Sequence, residues 1–336
     1  MSVAITDRTP RDDGFAMPAE WAPHRATIMQ WPSVGDAWGD RLQDAFVEYA
    51  AVANAVAAFE PLLMLADPSS IGDARTHLRG DVDLLEAALD DAWARDSGPV
   101  FVTDGRGGLA LIDFGFNGWG GKFPYERDQL VPAHVAAHLG VPRYVAPFVL
   151  EGGSFFVDGE GTLLTTEQCL LHPTRNPTLS REEIEALLGA YLGVGAVVWL
   201  GQGHAHDPHT DGHVDDIAHF LRPGTVIVHA PTDPADPDHE RGLDNLRRAS
   251  EARDARGRAL ETVRFDPGTP SEAVYLNLCL VNGAAIVPIA GDEHDEVALA
   301  QLRAVYPDRE LVPVEAATIL FGGGGPHCIT QQVPEP

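Results

Sequence analysis

The sequence is poor in three things: cysteine, positive charge and long apolar runs. Cys169, Cys279 and Cys328 are the only cysteines in 336 residues, and so odd and small a number excludes a disulfide framework. No stretch approaches the roughly 18–20 uncharged apolar residues that a membrane-crossing helix needs. Residues 1–11 are polar, with charges of both signs, and lack the apolar core of a secretory leader. Lys and Arg number 23 against 50 Asp and Glu, a formal net charge of −27. Such a surface repels nucleic acid and anionic membrane and draws cationic ligands, although acidity that serves only solubility accounts for the same excess. The expectation is a cytoplasmic protein with neither nucleic acid nor membrane as partner.

Also missing are a Pro/Gly/Ser-rich linker, a low-complexity segment and any repeat at the level of residue identity. Residues 1–336 therefore read as a single domain. With 44% hydrophobic and 22% charged residues, the composition is that of an ordinary globular protein.

Short apolar runs alternate with helical patterns from end to end, which predicts an α/β protein. The strand candidates are Leu62–Leu65, Leu109–Asp113, Ser154–Val157, Thr162–Thr166, Ala196–Leu200, Thr225–His229, Tyr275–Val281, Ala285–Ile289 and Thr318–Phe321. Leu42, Phe46, Tyr49, Val52, Val56 and Phe59 fall on one face of a helix spanning Asp40–Phe59, which Pro61 stops. Ser180-Arg-Glu-Glu183 reads as a capping box opening a second helix that Gly193 closes. Gly322–Gly325 follow an apolar run, but the Lys-Ser/Thr of a phosphate loop is lacking and Pro326 removes a donor. Glycines here let backbone approach a ligand closely, or bend the chain sharply before Cys328.

Four polar knots stand out: Asp91-Ala-Trp93-Ala-Arg-Asp96-Ser-Gly-Pro99, Glu151-Gly-Gly-Ser154, Thr210-Asp-Gly-His213-Val-Asp215-Asp216 and His327-Cys328-Ile-Thr-Gln-Gln332. Each ends or follows a strand-like run, where α/β proteins place their sites. A cysteine becomes a nucleophile when a neighbouring cation or histidine favours its thiolate. A histidine can protonate a leaving group and then deprotonate water, and a carboxylate beside it fixes its orientation. Asp96 and Asp215 would be surplus in acyl transfer, but paired carboxylates match the N–H fork of a guanidinium. Each piece has a structural alternative. Asp96 could pair with Arg95 or cap a helix, Glu151 could serve a turn, His213 could be a core histidine, and Asp215–Asp216 could be a solvated pair. Cys169 and Cys279 read as small buried hydrophobes.

The rival chemistry is metal-dependent hydrolysis. His204, His206 and His209 run into Asp211, His213 and Asp215, a dense set of imidazoles and carboxylates. Their order does not match the His-x-His-x-Asp-His pattern of binuclear zinc hydrolases, and Pro208 and Gly212 indicate a turning loop.

With these knots in view, the chain resembles the agmatine deiminases, within the wider superfamily of guanidino-group-modifying enzymes. The resemblance runs nearly end to end. It includes Asp13–His24, Trp31-Pro32, Trp93–Pro99, Phe116-Asn-Gly-Trp-Gly-Gly121, Glu151–Ser154, Thr166–Leu171 with Arg175-Asn-Pro177, Thr210–Asp215 and Gly323–Gln332. It implies a pentein fold, a five-bladed α/β propeller of ββαβ units around a central channel. It also implies Cys328 as nucleophile, His213 as general acid/base, Glu151 as the carboxylate holding that histidine, Asp96 and Asp215 as the guanidinium grip, and Trp93 as a pocket wall. No metal or organic cofactor has a task in that chemistry. The implied partners are a small cationic guanidine, agmatine first, and a second copy of the chain in a homodimer. Peptidyl-arginine, free arginine and a non-catalytic guanidinium-binding module are the competing readings. An arginine deiminase would need a basic side chain for the α-carboxylate, for which Arg8, Arg11 and Arg25 are available. Gly325-Pro326 departs from the Asn and β-branched residue that many relatives carry before His-Cys.

Overall fold

The computed structural model describes residues 3–33, 38–268 and 273–336. One unit recurs in five sheets: two antiparallel strands, a helix, and a third strand that returns parallel to the second. The first sheet uses Val100–Thr103, Leu109–Gly115 and Arg143–Val149, with helix Val131–Leu139 between the last two. The second uses Phe155–Val157, Thr162–Thr166 and Ala196–Leu200, with helix Arg181–Leu192. The third uses Ala218–Arg222, Thr225–His229 and Glu261–Phe265, with helix His239–Glu251. The fourth uses Cys279–Val281, Ala284–Ile289 and Glu310–Glu315, with helix Asp295–Val305.

The fifth unit is assembled from both ends of the chain. Thr330–Pro334 pairs antiparallel with His24–Gln30; helix Leu42–Val56 then leads to Leu62–Ala66, parallel to the latter. Asp83–Glu86 extends this sheet, and Ala4–Ile5 extends the first. The repeat that residue identity hides is therefore plain in the pairing pattern.

Apolar side chains join neighbouring sheets in sequence. Ile112 and Tyr144 share a core cluster with Leu163, Phe156 and Val198 share one with Phe220, and Ile227 and Phe265 share one with Val287. Ile286 shares a cluster with Met64, and Leu63 and Ile28 share one with Leu111. Strands such as Leu62–Ala66 are buried at every position, which is why they read as continuous apolar runs rather than alternating ones. Helix Leu42–Val56 buries Phe46, Tyr49, Val52 and Val56, as its 3.6-residue pattern predicts. The capping box forms: Ser180 Oγ accepts from Glu183 N at 3.2 Å, and Glu183 Oε2 accepts from Ser180 N at 2.8 Å.

Two strand expectations are corrected. Residues 318–321 belong to a helix, Ala317–Gly322. The Glu48 carboxylate accepts from Thr318 N at 2.8 Å and Ile319 N at 2.9 Å, satisfying N–H groups that a helix start leaves open. Of Tyr275–Val281 only Cys279–Val281 is strand, because Asn277 N donates to Val274 O in a turn. Among the described residues no helix is long and apolar enough to cross a membrane.

Candidate active site

In each of the five units, the segment just before the first strand delivers one polar residue. Asp96 precedes Val100, Glu151 precedes Phe155, Asp215 precedes Ala218, Asn277 precedes Cys279, and Cys328 precedes Thr330. The structure brings Cys328, His213, Asp96 and Asp215 together. Cys328 Sγ lies 3.5 Å from Asp215 Oδ2. His213 Nδ1 lies 3.7 Å from Asp96 Oδ1 and 3.9 Å from Asp215 Oδ1. All four are buried.

Gly153 makes this convergence possible. A Cβ there would sit 2.6 Å from His213 Nδ1, 2.8 Å from Asp215 Oδ2 and 2.9 Å from Asp96 Oδ1, so no larger residue fits without moving them. Its N–H donates to Asp96 Oδ1 at 2.9 Å, while Trp119 Nε1 donates to Asp96 Oδ2 at 2.9 Å. Among the glycines before Cys328, Gly324 leaves room for the thiol itself, since a Cβ there would meet Cys328 Sγ at 2.8 Å.

A knotted loop presents His213. Asp207 Oδ1 accepts from His209 N at 2.9 Å and Thr210 N at 2.8 Å, and Asp207 Oδ2 accepts from Gly212 N at 2.6 Å. Asp211 takes a left-handed φ of 63°, and its carboxylate is held by Lys122 and Arg175, both at 2.7 Å. Glu151 is occupied differently from the expectation. Its Oε1 accepts from Arg175 Nε, and its carboxylate lies within 4.8 Å of a His213 ring nitrogen without a hydrogen bond to it.

Sequence reasoning missed four participants. His327 is clamped between two carboxylates, its Nδ1 2.8 Å from Asp215 Oδ2 and its Nε2 3.1 Å from Glu20 Oε2. Asn277 grips the nucleophile: its Oδ1 accepts from His327 N and Cys328 N, and its Nδ2 donates to Cys328 Sγ at 3.0 Å. Arg175 secures Glu151, and Glu20 secures His327. Glu20, Arg175 and His327 stand inside the family-like motifs, but only their partners in space reveal what they do.

The electrostatics follow from burial and pairing. Burial, reinforced by Asp215, Asp216 and Asp96, pushes the Cys328 thiol well above its usual value. Burial raises Asp96, partly offset by His213. Burial also works to raise Asp215, but the hydrogen bond and charge of His327 hold it below the usual carboxylate value. Burial and Arg95 oppose the charge on His327, yet Glu20 and Asp215 outweigh them and raise it. Glu20, despite burial, falls to about 2 under His327 and Arg95.

Three buried polar atoms in this cluster lack partners: His213 Nδ1, His213 Nε2 and Asp215 Oδ1. Each such atom costs about 1–3 kcal/mol, a cost that a hydrogen-bonding ligand recovers. Their neighbours Asp96, 3.7 Å from His213, and Cys328, 3.5 Å from Asp215, line a cavity of about 270 Å³ together with Asp91, Trp93, Trp119, Phe123 and His209. Trp93 stands in its wall, stacked on Trp38 at 5.7 Å. No Lys or Arg is among the described residues lining it. Arg8 instead pairs with Asp13 at 2.6 Å, and Arg11 reaches Gly189 O at 3.5 Å.

The histidines of the rival metal reading split: the rings of His204 and His206 stay 6.1 Å apart, while His209 and His213 turn elsewhere. His213 faces Asp96, His209 stacks on Phe123 at 5.7 Å, and His204 sits 3.2 Å from Asp238. Among the described residues, sets close enough to hold an ion are Glu151–Cys169–His213, Asp215–Asp216–Cys328 and His204–His229–Asp238. None contains two of the four histidines between 204 and 213.

Residues 16–334 match the Porphyromonas-type peptidyl-arginine deiminase family. The chain belongs to that family. An agmatine deiminase of Pseudomonas aeruginosa is 42% identical over 360 residues that cover 98% of each chain. The structure of an agmatine deiminase of Enterococcus faecalis is similar at a TM-score of 0.96, with 36% identity, covering 99% of this chain and 100% of that one. A DDAH from P. aeruginosa shares the fold at a TM-score of 0.50 and 14% identity, covering 92% of this chain and 99% of that one. The fold is thus α/β, with mixed sheets, of the pentein type. The deiminase family supplies the setting in which the Cys328 cavity acts.

Proposed function

We propose that this chain hydrolyses agmatine to N-carbamoylputrescine and ammonia through a covalent adduct on Cys328. The observation that carries this reading is the cavity itself: it is lined by the Cys328 thiol, the buried Asp96 carboxylate and aromatic side chains, with no lining Lys or Arg among the described residues, and Asp215 lies 3.5 Å from the thiol. A guanidinium finds its counter-charges in Asp96 and Asp215, whose Oδ1 has no other partner. The rest of the cavity, with Asp91 as a further acid, suits an ammonium at the far end of a dication. Among the described residues lining it there is no Lys or Arg to pair an α-carboxylate.

Cys328 Sγ forms a bond to the guanidinium carbon, and the proton released is carried by His213. His213 returns that proton to the departing nitrogen, the C–N bond breaks, and ammonia leaves a cationic thiouronium on Cys328. Water then adds to the same carbon, His213 accepts its proton, and cleavage of the C–S bond frees the ureido product and the thiol. Asp96 and Asp215 balance the charge throughout. Glu151 acts on His213 from within 4.8 Å, itself fixed by Arg175. Asn277, donating to Sγ at 3.0 Å, favours the thiolate that burial disfavours, and the substrate cation adds to this.

The five ββαβ units and their chain of inter-sheet contacts support a five-bladed propeller around a central channel. Pairing of the C-terminal strand with His24–Gln30 supports one catalytic domain over residues 1–336. A cytoplasmic homodimer completes the proposal. Acid quench during turnover, followed by peptide mass spectrometry, tests the adduct. The peptide carrying Cys328 gains the mass of agmatine less one ammonia; adduct on Cys169 or Cys279, or none under burst conditions, overturns the mechanism.

A further inference from the structure

Where the loop after Ala196–Leu200 meets the third unit, in a cavity that shares no lining residue with the Cys328 cavity, two imidazoles and a carboxylate converge. His204 Nε2 lies 3.2 Å from Asp238 Oδ2. The rings of His204 and His229 stack at 5.9 Å with 13° between their planes. One ligating atom from each of His204, His229 and Asp238 lies within 4.8 Å of the other two. These side chains line a separate cavity of about 110 Å³, together with His206, Asp216 and Asp236. We propose that His204, His229 and Asp238 bind a divalent transition-metal ion of the zinc class, with Asp236 or water completing the shell.

The chemistry of the donors fits. Two imidazoles and one carboxylate suit zinc, cobalt and nickel better than the oxygen-seeking calcium or magnesium. A tetrahedral zinc with bonds of about 2.0–2.1 Å holds its ligand atoms roughly 3.3–3.4 Å apart. The His204–Asp238 separation of 3.2 Å already meets this. His229 need close by no more than ~1.4 Å, within reach of a side-chain rotation. Asp238 is oriented as a ligand should be: its Oδ1 accepts from Ala205 N at 2.6 Å, and its own N donates to Asp236 Oδ1 at 2.6 Å.

The three ligands come from the loop after Ala196–Leu200, the end of strand Thr225–His229, and the residue before helix His239–Glu251. An ion here cross-links that loop to the body of the third unit. The same loop continues to His209 and Thr210, which line the Cys328 cavity. The ion thus acts as a clasp on one wall of the active site, outside the reaction itself.

Zinc titration in chelator-free buffer, followed by calorimetry and thermal unfolding, tests the site. Wild type and Cys328→Ser each bind one zinc, with a rise in Tm. His204→Gln and His229→Gln bind at least ~100-fold more weakly and gain no Tm. Cobalt in place of zinc gives wild type a tetrahedral visible spectrum that both histidine variants lack. Asp238→Asn supplies a third test should either histidine variant fail to fold. Zinc absent from wild type overturns the proposal. So does binding that survives in the histidine variants and disappears in Cys328→Ser, which assigns the ion to Asp215, Asp216 and Cys328 instead.

Discussion

Asp215 divides its carboxylate between two tasks: Oδ2 holds His327 Nδ1 at 2.8 Å, while Oδ1 is buried without a partner. One oxygen anchors the acid in its charged form, and the other waits for a donor that the protein does not supply. Asp215→Asn removes both functions at nearly constant shape. Turnover should fall by at least ~100-fold, as when a preorganised charge contact is lost. Leaving His327 buried beside Glu20 alone should cost about 3 kcal/mol of stability, the scale for breaking a buried pair. Steady-state kinetics and urea unfolding check the two effects. Wild-type stability in this variant would contradict the buried ion pair.

The thiol predictions separate Cys328 from its two companions. All three are buried, but Cys328 alone opens onto the large cavity. Cys328→Ala should lose on the order of 10⁴-fold or more in kcat, whereas Cys169→Ala and Cys279→Ala should keep activity where they fold. Because burial and three carboxylates raise the Cys328 thiol, its thiolate fraction in the free enzyme should rise about tenfold per pH unit between 7 and 9. Iodoacetamide inactivation should follow that slope. A flat rate across this range would reveal a preformed thiolate.

The Glu20–His327–Asp215 cluster also makes a pH signature in stability. Glu20 is lowered from 4.5 to about 2, so its contribution is full above 4.5 and is lost as pH falls toward 2. His327 is raised above 6.5, so its contribution is full below 6.5 and is lost as pH climbs through the raised value. Their joint effect is greatest between 4.5 and 6.5. The Tm gap between wild type and Glu20→Gln should shrink on the acid side of this window, and that to His327→Gln on the alkaline side. Gaps independent of pH would remove the cluster from the account.

Much of this was legible in the chain itself. Buried strands such as Leu62–Ala66 announced themselves as apolar runs, and Ser180 and Glu183 marked a helix start with local chemistry. Thr318–Phe321 did not, because its helix depends on Glu48, some 270 residues away. At the site, Asp96, Asp215 and Cys328 could be chosen by residue type, and the structure gathers them. Asn277 gave no signal, since it sits in what read as strand and matters only through contacts with Cys328. The solvated reading of Asp215–Asp216 fails, as Asp215 is fully buried. Glu151 illustrates the opposite limit: its motif marked it for His213, but the hydrogen bond it makes is to Arg175.

The central claim is that the cavity selects a guanidine whose far end is a cation. Purified protein should be given agmatine, free arginine and a blocked arginyl peptide in parallel, with ureido product and ammonia measured together. The account predicts equal amounts of ureido product and ammonia from agmatine. It also predicts kcat/KM at least ~100-fold above that for arginine, about 2.7 kcal/mol between a paired and an unpaired terminal charge. Arginine or the peptide outpacing agmatine would contradict it.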